Sequence, residues 1–247
     1  MTVVAIVGGA GDIGSACAAR LALAGHQVVI GDRKPSAADL PPAVDQRLAD
    51  AEDRDSIQSF VDDIVSRYGR LDTLACAQGI VRNEDLVDIT PEAWDATLSV
   101  NLTSAKTCAQ VAAQAMLAQS PGRDGLRGRV VFIGSWVSTS PWPGFSAYTV
   151  TKAGLRTLAS AIALELGPQQ ITSNVLEPGI VDAGLSAALM VTDPEFRRRA
   201  LAAILLGRLQ SLESVAGALD FLCSDASAYM TGTNLRVDGG ATLQRGR

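Results

Sequence analysis

The chain is poor in aromatic side chains, at 4% of 247 residues, and it contains a single histidine. One histidine, His26, leaves no Ser-His-Asp triad and no two-histidine metal site, so no metal ligand is assigned. The four cysteines, Cys17, Cys76, Cys108 and Cys223, are scattered, with no C-x-x-C or other ligand spacing. Neither a zinc site nor a disulfide framework is expected, and the cysteines read as small buried hydrophobes of a reducing compartment. Positive charge is also scarce. The formal net charge is −5, and the longest basic run, Arg197-Arg198-Arg199, reads as the solvated side of a helix. That balance argues against nucleic acid and against an acidic membrane as partners. No apolar run is long enough to span a bilayer, and the start MTVVAIVGG has no basic leader, so a cytoplasmic location is expected.

What the chain does have is alternation. Strand-like runs at Val3–Val7, Gln27–Ile30, Leu71–Cys76, Val130–Ile133, Ile171–Leu176 and Asn234–Val237 alternate with helical patterns, and Arg47–Ala49 is a further short strand candidate. The helical patterns cover Ile13–Ala24, Asp53–Arg67, a long stretch from Thr90-Pro91 towards Leu117, Thr151–Leu166, and a segment from Ser211 to Cys223. Strands separated by helices imply a parallel sheet covered on both faces. With 47% hydrophobic residues and no repeat, low-complexity tract or linker, residues 1–247 read as one α/β domain.

In such sheets ligands bind beyond the carboxyl ends of the strands. The first strand runs into VGGAGDIG, Val7–Gly14, directly before a helix. Gly9, Gly11 and Gly14 satisfy G-x-G-x-x-G, and glycines before a helix N-terminus let backbone amides approach a pyrophosphate. After the second strand comes Asp32, eighteen residues past Gly14. A carboxylate there accepts hydrogen bonds from the adenosine ribose and repels a 2′-phosphate, favouring NAD over NADP. Arg33 pulls the other way, since a guanidinium could pair with a 2′-phosphate. Asp50, after the third strand, is placed to meet an adenine, or is an ordinary loop aspartate. Tyr148 and Lys152 share one helix face four residues apart, and Ser135 follows the apolar run VVFIG. A neighbouring ammonium is expected to bring the tyrosine pKa down towards the working range.

Together and in order, these features resemble the short-chain dehydrogenases/reductases over essentially the whole chain. The landmarks are the Gly-rich loop, Asp32, Asp50, Asn101 in SVNLTSAK, Ser135 thirteen residues before Tyr148, Y-x-x-x-K at Tyr148–Lys152, Pro178-Gly179, and SDASAYMTGTNLRVDGG near the end. The resemblance implies a Rossmann-type doubly wound fold. It also implies a catalytic set of Asn101, Ser135, Tyr148 and Lys152. Tyr148 would be the acid-base group and Ser135 would stabilise the substrate oxygen. Lys152 would lower the tyrosine pKa and bind the nicotinamide ribose, and Asn101 would hold a relay water. The cofactor would lie against Gly8, Asp12, Ile13, Gly14, Asp32, Arg33, Asp50, Ala51, Ala77, Gly79, Tyr148, Lys152, Pro178, Gly179 and Val181.

Four positions depart from the family pattern: Val7 for threonine, Asp12 for glycine, Cys76-Ala77-Gln78-Gly79 for Asn-Asn-Ala-Gly, and Ala183 for threonine. Asp12 is expected to turn its carboxylate onto its own helix amides. The segment Ala183–Leu209 would cover the substrate, with Leu185, Leu189, Met190 and Val191 beneath it and Trp136 and Trp142 as a wall. Such a surround suits a neutral, fairly apolar secondary alcohol or ketone, alicyclic rings included. The small residues of Thr151–Leu166 (Ala153, Gly154, Ala159, Ala161, Ala163) suit either packing on the sheet or a subunit contact, and the resemblance implies a homotetramer or else a dimer. NAD-dependent alcohol oxidation is the favoured expectation. An NADPH-dependent carbonyl reductase and a non-enzymatic nucleotide-sensing or scaffold protein are the alternatives.

Overall fold

A computed structural model describes residues 2–243. The β-branched run Val3–Val7 forms β1, and its side chains divide alternately between two cores. Val3, Ala5 and Val7 face one, and Val4 and Ile6 face the other. The same division holds in β5 (Gly128–Ile133), where Val130 and Phe132 face one core and Val131 and Ile133 the other. Strands buried on both faces in this way need helices on both sides.

The remaining strands are β2 (Gln27–Asp32), β3 (Val44–Leu48), β4 (Thr73–Cys76), β6 (Ile171–Pro178) and β7 (Asn234–Val237). All pair in parallel, in the order β3-β2-β1-β4-β5-β6-β7. The helices are α1 (Asp12–Leu23), α2 (Arg54–Tyr68), α3 (Pro91–Leu98), α4 (Ser104–Ala118), α5 (Ser146–Leu166), α6 (Gly184–Thr192), α7 (Pro194–Ala203) and α8 (Leu212–Cys223). Helices α1 and α8 cover one face of the sheet, and α2, α4 and α5 cover the other. The strand order reverses between β1 and β4, which opens a crevice at their carboxyl ends.

Local chemistry sets many of the boundaries. Thr90 caps α3, accepting from the Ala93 amide at 3.2 Å, with Pro91 at the first helical position. Asp53 and Ser211 cap α2 and α8 in the same manner. Elsewhere the boundaries differ from the sequence pattern. The third strand is Val44–Leu48 rather than Arg47–Ala49. Val44 is its one buried residue, so alternation carries little signal on this edge strand. Helix α5 begins at Ser146, not Thr151. The β-branched run Thr149-Val150-Thr151 disguises its first turn, which the Thr149 amide to Phe145 carbonyl bond closes at 2.8 Å. The long helix expected from Thr90 to Leu117 is broken by a π-helical segment, Ser99–Thr103, where Asn101 lies. Such segments insert a residue and re-aim side chains. The segment sits where Leu102 meets Gly154 of α5, so tightly that a Cβ on Gly154 would approach it at 2.9 Å. The small residues of α5 therefore serve internal packing at Gly154, Ala159 and Ala163.

Phe132 is among the largest fully buried side chains and sits at the end of the strand that leads to Ser135. Phe132→Ala should lower unfolding free energy by about 3–5 kcal/mol, the usual cost of emptying an aromatic core site. Guanidinium titration at a fixed protein concentration checks this.

Candidate active site

The crevice carries three cavities that share walls. The first, about 180 Å³, lies at the ends of β1, β2 and β3 and is lined by Asp32, Arg33, Asp50, Ala51 and Glu52, with Gly8 and Gly79 at its inner end. The second, about 290 Å³, runs along the Gly-rich loop past Gly8, Asp12, Ile13 and Gly14. It continues to Ala77, Gly79, Tyr148, Lys152, Pro178, Gly179 and Val181. The third, about 100 Å³, is enclosed by Trp136, Trp142, Phe145, Ile180, Leu189 and Phe196, and Tyr148 also lines it. Tyr148 thus stands where the second and third cavities meet.

The Gly-rich loop is shaped for close approach. Gly8 has φ +78°, and a Cβ there would come within 2.3 Å of the Gln78 amide nitrogen. A Cβ on Gly14 would reach the Gly8 carbonyl oxygen at 2.4 Å. Only glycine permits this turn, which aims the first amides of α1 at the cavity. Asp32 anchors the loop by accepting from the Ala10 amide at 3.1 Å. The tight loop, the helix N-terminus and the carboxylate at the adenosine end together fit a dinucleotide.

Asp12 does not cap its own helix. The cap position is Gly11, without a side-chain bond, and Asp12 Oδ2 instead accepts from the Gly184 amide at 3.0 Å. The carboxylate therefore reaches across the cavity to the first residue of α6. Ala183, at the cap position of α6, has no hydroxyl to offer, so the aspartate satisfies that helix end from the opposite wall. The changed segment after β4 also finds a partner. Gln78 Nε2 donates to Ser104 Oγ of α4 at 3.0 Å. Asp50 turns its Oδ1 onto the Glu52 amide at 3.0 Å, the behaviour of a loop aspartate.

Lys152 is 4% exposed, and its Nζ donates to the Ile133 carbonyl at 2.7 Å. It lies over the Tyr148 ring, 5.4 Å from the centroid. Asn101 is buried behind Gly79, its Oδ1 accepting from the Ile80 amide at 2.7 Å and its Nδ2 donating to the Ile80 carbonyl at 2.8 Å. It thereby fixes the Gly79–Ile80 segment beside Lys152. Ser135 opens a 3-10 turn, Trp136–Ser138, its hydroxyl accepting from the Val137 amide at 3.4 Å.

The electrostatics correct one expectation. Burial pushes the Tyr148 phenol up to about 12, with the Ser135 hydroxyl pulling the other way. Burial lowers Lys152 to about 8. The ammonium lies over the ring and makes its hydrogen bond to Ile133, and desolvation governs the phenol. Tyr148 keeps some exposed surface, at the opening of the two cavities, but enough protein surrounds it to desolvate the phenol.

The covering segment is also only partly as expected. Trp136, Trp142, Leu185 and Leu189 line the third cavity, and Met190 packs beside it, but Val191 is 84% exposed and points away. Helix periodicity over α6 separates Leu185 and Leu189, four apart, from Val191. Arg199 is not simply solvated: its guanidinium lies 4.7 Å from the Trp142 ring centroid. Val81, Phe145, Ile180 and Phe196 were not legible as cavity residues. They come from irregular segments or from α7, and only the fold brings them together.

Comparison with known proteins agrees with this geometry. A family model described as "Enoyl-(Acyl carrier protein) reductase" matches residues 8–242. The 3-oxoacyl-[acyl-carrier-protein] reductase FabG of Thermotoga maritima is 34% identical, over 96% of each chain. Human dehydrogenase/reductase SDR family member 4 is 33% identical over 92% of this chain and 83% of its own. A short-chain type dehydrogenase/reductase from Mycobacterium ulcerans superposes with a TM-score of 0.90 at 28% identity, covering 99% of this chain and 91% of that one. With the Gly-rich crevice, the Ser135-Tyr148-Lys152 cluster and these likenesses along nearly its full length, the chain belongs to the short-chain dehydrogenase/reductase family of nicotinamide-dependent oxidoreductases.

Proposed function

We propose that the protein interconverts a neutral, fairly apolar secondary alcohol and its ketone, with NAD as the favoured cofactor. The observation that carries this reading is the position of Tyr148, whose side chain lines both the dinucleotide cavity and the aromatic one. A bound nicotinamide supplies or accepts the hydride. Tyr148 gives a proton to the substrate oxygen in reduction and takes it in oxidation, while the Ser135 hydroxyl hydrogen-bonds the same oxygen. Lys152 would hold the ribose side of the site, and a water near Asn101 would link Lys152 to solvent at the outer end of a proton relay.

The substrate reading rests on the third cavity. Among the described residues no charged side chain lines it, and two of the chain's three tryptophans and two of its five phenylalanines do. Arg199, beside the cavity wall, is stacked on Trp142. The cavity's volume of about 100 Å³, open on one side, suits a ring or short branched group at the end next to Tyr148. The NAD reading rests on Asp32, Asp50 and Glu52 around the adenosine end, where a 2′-phosphate would be repelled. Arg33 favours the second reading, an NADPH-dependent carbonyl reductase, but it points towards Glu52, at 3.9 Å. Four buried free thiols fit a reducing, cytoplasmic setting.

A panel of cyclic, aryl and linear secondary alcohols and ketones, sugar acids and a 3-oxoacyl thioester, each with NAD(H) and NADP(H), tests the assignment by absorbance of the reduced nicotinamide. Turnover should be highest on neutral cyclic or aryl substrates with NAD(H). Tyr148→Phe should lower kcat by about 10²–10⁴-fold and leave cofactor binding intact. Activity confined to charged substrates would sink the substrate reading, and full activity of Tyr148→Phe would sink the mechanism.

The pH dependence follows from the pair. Lys152, at about 8, loses its proton before Tyr148, at about 12. Below that window Lys152 already carries its proton and cannot take up the one that oxidation releases. Above it the neutral amine can take it up through the relay, while Tyr148 gains the alcohol proton as it passes its own on and so remains a phenol. Alcohol oxidation should therefore rise with pH through about 8, with an apparent pKa that belongs to the pair. A kcat profile flat from pH 6 to about 10 would contradict this.

A homotetramer, or failing that a dimer, completes the reading. Val150 and Leu164 lie exposed on the outer side of α5, where a second subunit would cover them. Light scattering should give about four times 25.7 kDa, and a monomeric mass would overturn the assembly.

A further inference from the structure

Glu177 lies at the penultimate position of β6, directly before Pro178-Gly179, and is fully buried. Its Oε1 accepts from Ser138 Oγ at 2.5 Å and faces Arg156 Nε at 3.5 Å. Its Oε2 has no hydrogen-bond partner among the described residues and faces Arg236 Nε at 3.6 Å. Arg236 in turn donates to Thr139 Oγ1 at 3.2 Å. A buried carboxylate between two guanidiniums is an expensive way to fill space, since apolar residues of the same volume are commonly as stable or more so.

The partners of Glu177 have one thing in common. Ser138 closes the 3-10 turn that Ser135 opens. Arg156 follows Tyr148 and Lys152 at the same four-residue spacing, on the same face of α5. Pro178 and Gly179 line the dinucleotide cavity. One side chain therefore touches the turn, the helix and the strand end that together carry the reacting groups. The turn closes through its own backbone, Ser138 amide to Ser135 carbonyl at 3.0 Å, but the bond that ties the Ser135 hydroxyl to it, from the Val137 amide, is long at 3.4 Å. The far end of the turn is therefore where an outside hold would steady that hydroxyl. The backbone beneath it is close too: a Cβ on Gly134 would meet Glu177 Cγ at 3.4 Å.

We propose that Glu177 is a positioning residue of the reaction, holding the Trp136–Ser138 turn through Ser138 so that the Ser135 hydroxyl stays aimed at the oxygen that Tyr148 serves. Arg156 and Arg236 flank the carboxylate and fix its rotamer. This rests on the roles proposed above for Ser135 and Tyr148, but its physical core, the hold on the turn, can be read without turnover.

The test uses Ser138→Ala and Glu177→Gln in the full chain. Each should lower kcat about tenfold, the scale on which sub-ångström misplacement acts, with cofactor Kd within about twofold of the parent by titration. The double variant should be no slower than Glu177→Gln alone, because both substitutions cut one linkage. In a Trp94→Phe/Trp142→Phe background, Trp136 fluorescence should become more open to acrylamide quenching in either variant. A merely structural ion pair predicts a lower Tm with kcat per folded enzyme, double-variant additivity and Trp136 quenching unchanged, and that result would overturn the proposal. If Glu177→Gln does not fold, Ser138→Ala alone decides, since it removes one exposed-side hydroxyl and leaves both ion pairs. If the parent enzyme turns over no alcohol or ketone, the proposed reaction fails, and the quenching measurement still supports or overturns the hold on the turn.

Discussion

The hydrogen bond from the Lys152 ammonium to the Ile133 carbonyl, 2.7 Å long and buried, is the constraint on which the site depends. An ammonium removed from water must find acceptors, and here it finds one at the end of β5. That fastens α5 to the sheet at the level of the crevice. Because Tyr148 lies one turn before Lys152 on the same face, fixing the lysine fixes the phenol. Because Ile133 precedes Gly134-Ser135, the same bond fixes the origin of the serine turn. Ser135, Tyr148 and Lys152, the side chains proposed to react, are thus referred to a single point from a strand end and the helix that follows it.

How much of this was legible in the sequence depends on how local each feature is. The Gly-rich loop, Asp32 and the Tyr148–Lys152 spacing were legible because each is a short run whose backbone geometry follows from its own residues. Most strands were legible too, since a run buried on both faces is apolar throughout. The edge strand Val44–Leu48 was misplaced because only one of its residues is buried. The first turn of α5 was hidden because β-branched residues oppose helix locally, while its packing on the sheet decides the outcome. The walls of the third cavity were half legible. Trp136 and Trp142 adjoin Ser135 in the chain, whereas Phe196 and Ile180 reach the cavity only through the placement of α7 and the end of β6. The electrostatics were read with the wrong sign. Spacing places an ammonium near a phenol, but not which atoms face each other or how far both are desolvated.

The departures in the loop and after Pro178-Gly179 make sense as a pair. Read one at a time, Asp12 sets a carboxylate in a loop shaped for phosphate, and Ala183 leaves a helix end uncapped. In space the first supplies what the second lacks, since Asp12 Oδ2 accepts from the Gly184 amide across the cavity. The bond links the first strand's loop to the covering segment, so the two walls of the crevice are joined by one side chain. Engaging the carboxylate with an amide dipole also offsets part of its charge where a pyrophosphate would lie. The altered Cys76–Gly79 segment follows the same logic. Gln78 trades contacts within the sheet for Ser104 on α4, so the segment stays held although by a different neighbour.

The division of the crevice separates two kinds of determinant. The groups proposed to carry the chemistry sit on the rigid side: Ser135 and Lys152 are buried at a strand end and on a helix packed on the sheet, where small movements are resisted from several directions. The aromatic cavity is walled on the other side by α6 and α7, whose residues include many exposed ones and whose grip is local: Leu189, Phe196, and Arg199 over Trp142. A wall of that kind can change its side chains without moving the acid-base group. A chain with few aromatic residues that gathers several around so small a volume is using their stiffness as well as their area, since a ring with two torsions keeps its shape when a substrate leaves. Under the proposed function, the shape of this cavity, more than any polar contact in it, would select the substrates that reach Tyr148.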